Sequence, residues 1–90
     1  MNSHTGKLIN ELLEALTALN MQSEAQKIIE FKEQLDSDSQ LERIAASKQF
    51  VQRCHVKWYG DLNLPIDRKS DYPVYVFLDE LRKAVQTEVQ

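Results

Sequence analysis

Ninety residues with 42% apolar and 28% charged side chains, and a net charge of −3, describe one globular domain of ordinary composition. A second core would leave each half too small to bury enough surface to fold alone. The acidic balance speaks against a generic nucleic-acid binder, which carries an excess of Lys and Arg. The charge is uneven: residues 1–40 hold three lysines against seven acids, a net of −4, and residues 41–90 hold eight bases against seven acids, a net of +1.

Two glycines and two prolines leave little turn punctuation in a chain rich in Leu, Glu, Lys, Gln and Ala, which favours helices. The first predicted helix covers residues 5–19, with Leu8, Ile9, Leu12, Leu13, Leu16 and Leu19 at helical spacing. Ser3 or Thr5 suits its N-cap, and Asn20 suits the left-handed residue that ends it. The second covers residues 23–35. Ser23 and Gln26 have capping-box spacing, and Ala25, Ile28, Ile29, Phe31 and Leu35 form its apolar face. A link of only Asn20 to Gln22 favours an antiparallel hairpin over one kinked helix.

Asp36-Ser37-Asp38-Ser39 is a run of cap and turn formers. A third helix over residues 39–59 should follow it, with Leu41, Ile44, Ala45, Val51, Cys54 and Trp58 as its stripe and Gly60 as its stop. Residues 60–70 read as an extended loop, in which Leu62, Leu64 and Ile66 alternate like a strap over one end of the core. A fourth helix spans residues 71–88, capped by Ser70 or Asp71, with Pro73 in its first turn and Val74, Phe77, Leu78, Leu81, Ala84 and Val85 on one face. The expected fold is therefore all-α, a four-helix bundle-like single domain over residues 1–90.

Catalytic and cofactor signatures are scarce. Gly6 and Gly60 are too far apart for a phosphate-binding loop. His4, His55 and Cys54 form no chelating spacing, and the carboxylate pairs Glu11/Glu14 and Glu30/Glu33 fall on polar faces without the Glu-x-x-His pattern of di-iron bundles. Cys54 lies on an apolar stripe, where a small buried side chain is expected rather than a nucleophile. The sequence thus predicts no enzyme, no cofactor and no metal. A single cysteine, a polar start from Met1 to Lys7, and a longest apolar run of Val74 to Leu78 together suggest a cytoplasmic protein without a membrane span.

The remaining signal is aromatic. Six of the seven aromatic residues follow position 49. Tyr72, Tyr75 and Val76 project from the side of the fourth helix opposite Phe77, so its start is apolar nearly all round and must be covered twice. The strap of Leu62, Leu64 and Ile66 is the expected cover; a partner is the other. The reading that follows is a non-enzymatic helical interaction module, acting through a protein partner or as a homodimer, with Trp58, Tyr59, Tyr72, Tyr75 and Val76 as its surface.

Two alternatives differ in chemistry. The size and lack of motifs look like those of small bacterial proteins carried on mobile gene cassettes or beside toxin genes, a likeness of style that assigns no residue. Its specific form is a regulatory or toxin-neutralising protein whose acidic first half steers a basic partner. The second alternative binds single-stranded nucleic acid through Lys48, Arg53, Lys57, Arg68 and Lys69 beside Trp58. A third reading places a small-ligand pocket between helices near Trp58 and Tyr72.

Overall fold

The computed structural model describes residues 1–55 and 58–89. They form four α-helices, α1 (Ser3–Ala18), α2 (Gln22–Leu35), α3 (Gln40–Arg53) and α4 (Pro73–Thr87), with a 3-10 turn at Tyr59–Asp61 and no strand.

α1 starts on Asn2, whose side chain accepts from the His4 amide at 2.8 Å, so the helix begins two residues earlier than expected and both expected caps, Ser3 and Thr5, lie inside it. It ends in a Schellman turn. Asn20 takes φ 60°, its amide donates to the Thr17 carbonyl at 3.0 Å, and the Met21 amide donates to the Leu16 carbonyl at 2.9 Å. This turn separates α1 from α2 and reverses the chain, as the short link predicted. It also feeds directly into Gln22, so α2 begins without any side-chain cap and the Ser23–Gln26 box is not used. At the next junction the Ser39 hydroxyl accepts from the Glu42 amide at 3.3 Å, and Ser37 Oγ donates to Glu42 at 2.7 Å.

Side-chain contacts fix the topology. Asn10 meets Lys32 and the Met1 amino group meets Asp36, so α1 and α2 are antiparallel. Glu24 meets Arg53, which makes α2 and α3 antiparallel. The Asn2 amide donates to Glu88 at 3.0 Å, closing α4 back onto α1. With α3 packed on α4, the result is an up-down-up-down bundle of radius of gyration 12.4 Å. Its core includes Leu8, Ile9, Leu12 and Leu16 of α1, Ile28, Phe31 and Leu35 of α2, and Phe77, Leu78, Leu81 and Val85 of α4. Leu19 and Ile29 fall at the edges of their faces and stay exposed.

α3 departs most from expectation. It ends at Arg53 rather than near residue 59, and its buried side is Ala46, Ser47 and Phe50, with Cys54 just beyond. Leu41 is 81% exposed, Ala45 is exposed, and Ile44 and Val51 are half-buried. The early ending has a physical reason. Tyr59 lies eighteen residues after Leu41, about five full turns, so an unbroken helix would carry Tyr59 to the outward side with Leu41. Breaking after Arg53 lets the 3-10 turn bring Tyr59 into the core, where it is fully buried. Gly60 lies within that turn and stops no helix.

Residues 62–72 contain no helix or strand and run back to the middle of α1 and α4, where Arg68 meets Glu11 and Glu80. Leu64 and Ile66 are buried in the core, so the loop is a strap as expected. α4 starts at Pro73, two residues later than expected. Tyr72 stands at its N-cap without a side-chain cap bond, and Ser70 Oγ instead accepts from the Tyr72 amide at 3.1 Å.

Candidate interaction surface

Where the strap meets α4, the expected cover is missing. Leu64 and Ile66 turn inward, and Tyr72, Tyr75 and Val76 remain 66%, 45% and 37% exposed. Tyr72 and Tyr75 lie three residues apart on the first turn of α4, so their rings are neighbours: they stack with centroids 6.1 Å apart and planes within 18°. Beside them runs an open groove of about 290 Å³ between Leu62, Asn63 and Leu64 of the strap and Pro73 and Val74 of α4. Among the described residues no charged side chain lines it. The sequence pointed to the tyrosines through the crowding of the helix start; Asn63 and Pro73 gave no such signal, because a groove wall is made by the path of the strap.

The other two residues expected on this surface part company. Trp58 is 47% exposed and carries the Arg53 guanidinium over its ring at 4.6 Å. Tyr59 is no surface residue. Its hydroxyl donates to Glu24 Oε1 at 3.1 Å, and Arg53 donates to the same oxygen. Arg53 also lies 5.5 Å from the Phe31 ring. Glu24 therefore ties α2 to both sides of the break after α3, across 29 and 35 residues of sequence. Burial, then the Glu24 carboxylate, pushes the Tyr59 phenol well above its ordinary range.

These contacts change the basic stretch. Arg53 is held by Glu24, and Arg68 is held by Glu11 and Glu80, so neither guanidinium is free to neutralise a phosphate. Lys48 and Lys69 are exposed and form no ion pair among the described residues; Lys57 lies outside the described residues. The acidic first half is similarly reduced, since Glu11, Glu24, Glu30 and Asp36 each face a cation. Glu14, Glu33 and Asp38 remain exposed without one among the described residues. Among the described residues no three His, Cys, Asp or Glu side chains converge as a metal site would need. No helix is long and apolar enough to cross a membrane.

Cys54 is 3% exposed, beside a dimple of about 50 Å³ bordered by Tyr75, Leu78 and Arg82. Burial pushes its thiol up to about 12, against a smaller opposite pull from Arg82. The native state thus favours the neutral thiol. Its contribution to stability is complete below the unfolded thiol's range near 9 and is lost as pH rises from there toward about 12. Urea midpoints should fall between about pH 8 and about pH 10.5, and Cys54→Ala should flatten that fall. An unchanged slope in the variant would assign the alkaline loss to other groups, Tyr59 first.

Comparison with protein-family models, with curated proteins and with solved structures finds no match.

Proposed function

We propose that this protein is a small, non-enzymatic helical module that binds another protein through the junction of the strap and α4. The observation that carries the reading is the stacked, exposed Tyr72–Tyr75 pair beside a groove that has no charged wall among the described residues. Tyrosine presents large apolar area at low side-chain entropy cost and keeps a hydroxyl for a polar partner, which is why it is enriched at the energetic centres of interfaces. The single buried cysteine agrees with a reducing, cytoplasmic setting.

The exposed aromatic area is small for a stable homodimer built on this junction alone. An aromatic side chain offers about 200 Å²; with Trp58, Tyr72 and Tyr75 exposed to 47%, 66% and 45%, the rings present about 300 Å² together. A standard interface takes about 800 Å² from each side. Light scattering on the purified chain should therefore give a monomer mass at micromolar concentration.

The double variant Tyr72→Ser, Tyr75→Ser tests the reading. Both side chains are exposed, so its melting temperature should stay within a few degrees of wild type. Partners cross-linked and captured from the source cells by the wild type should be lost from the variant. Capture of the same proteins by both would remove the junction as the binding surface.

A further inference from the structure

Resting on that reading, we infer that the segment bound in the groove is a short, extended, positively charged peptide stretch carrying proline or leucine. Three features of the junction converge on this occupant. The first is size. A groove of about 290 Å³ walled in part by two exposed tyrosines, which present about 200 Å² of aromatic surface, holds a few residues and falls short of a folded domain's footprint.

The second is the backbone. Leu62 is extended, at φ −86° and ψ 142°, and among the described residues neither the Asn63 and Leu64 amides nor the Asn63 side chain makes a hydrogen bond. Donors and acceptors of this kind along a groove suit a ligand whose own backbone is unpaired. An extended or polyproline segment offers carbonyls along its whole length, whereas a helix has already satisfied its own. Stacked tyrosines then supply flat faces against which proline rings or leucine methyls pack.

The third is charge. The 3-10 turn ends on Asp61 and the strap carries Asp67 and Asp71, all three exposed and without an ion-pair partner among the described residues. Asp61 adjoins Leu62 and Asp71 adjoins Tyr72, so two unpaired carboxylates flank the groove walls in sequence. Of the strap's two cations, Arg68 is held by Glu11 and Glu80, and Lys69 is set against these aspartates. A groove with no charged wall among the described residues, bracketed in sequence by Asp61 and Asp71, fits apolar residues followed by Lys or Arg.

Fluorescence anisotropy with three dye-labelled peptides tests this: one of prolines and leucines ending in two arginines, its counterpart with two glutamates for the arginines, and a basic glycine–serine peptide. Only the first should bind, with amide shifts in NMR spectra centred on Asn63, Tyr72 and Tyr75. Asp61→Asn with Asp71→Asn should weaken it about tenfold, and Tyr72→Ser with Tyr75→Ser should abolish it. Equal binding of the glutamate peptide, or of the glycine–serine peptide, overturns the inference. So does failure of all three, and the cross-linking result then separates the two readings. If capture of partners still depends on Tyr72 and Tyr75, the junction recognises a folded surface. If it does not, the interaction reading falls as well.

Discussion

Phe50→Ala should destabilise the protein by about 3–5 kcal/mol, while Leu41→Lys should change stability by no more than about 0.5 kcal/mol. Phe50 is fully buried and its ring lies 5.8 Å from that of Phe31, centroid to centroid, so its removal opens a cavity between α2 and α3. Leu41 is 81% exposed and loses almost nothing on becoming a lysine. A domain of 90 residues has about 5–13 kcal/mol in total, so the first change takes a large fraction and should lower the melting temperature by about 15 °C or more. Thermal and urea unfolding of the two variants, side by side, reads the rotational setting of α3. Equal losses would mean that Leu41 is covered and that the helix is turned toward the face its apolar pattern favours.

That pattern shows why α3 was the least legible element. Leu41, Ile44, Ala45 and Val51 outnumber the residues that are buried, and one of the buried ones is Ser47, which no hydrophobic pattern selects. The choice between faces was made in three dimensions. Small Ala46 and Ser47 allow close approach of neighbouring helices while Phe50 fills the centre. α1 was legible because Leu8, Ile9, Leu12 and Leu16 have no rival stripe, and the link to α2 because Asn20 tolerates the left-handed conformation that a Schellman turn requires. At the candidate site the crowded helix start was visible in the sequence. That Leu64 and Ile66 would cover the core and leave the tyrosines open was not. Nor could spacing announce that Tyr59 would leave the helix for a carboxylate 35 residues away.

Arg68→Ala should cost about 2 kcal/mol and lower the melting temperature by about 10 °C. Arg68 Nη1 and Nη2 donate to the two oxygens of Glu11 at 2.7 and 2.9 Å, Nε donates to Glu80 at 3.1 Å, and the guanidinium lies 5.1 Å from the Phe77 ring. The Glu11 hydrogen bonds, ahead of those to Glu80, raise its pKa further above an already high value, so it stays charged at any pH at which the fold survives. The side chain is 21% exposed and its carboxylates 35% and 39%, so the effect belongs between a surface pair of at most about 1 kcal/mol and a broken buried pair of about 3–5 kcal/mol. Lysine should restore only part of the loss, because an ammonium cannot present the planar fork that meets both oxygens of Glu11 while a third donor reaches Glu80.

The same clamp governs the groove. Arg68 anchors the strap to α1 and α4 just after Leu64 and Ile66 enter the core, so freeing it should release both from one end. Hydrogen exchange at the Ile66 amide, which donates to the Leu64 carbonyl at 2.8 Å, should then speed up in Arg68→Ala well before the helices exchange faster. Loss of peptide binding in the same variant, with Tyr72 and Tyr75 untouched, would follow from a groove wall that no longer holds its place. Uniform acceleration across all four helices would instead make the clamp a support of the whole bundle, with no special hold on the strap.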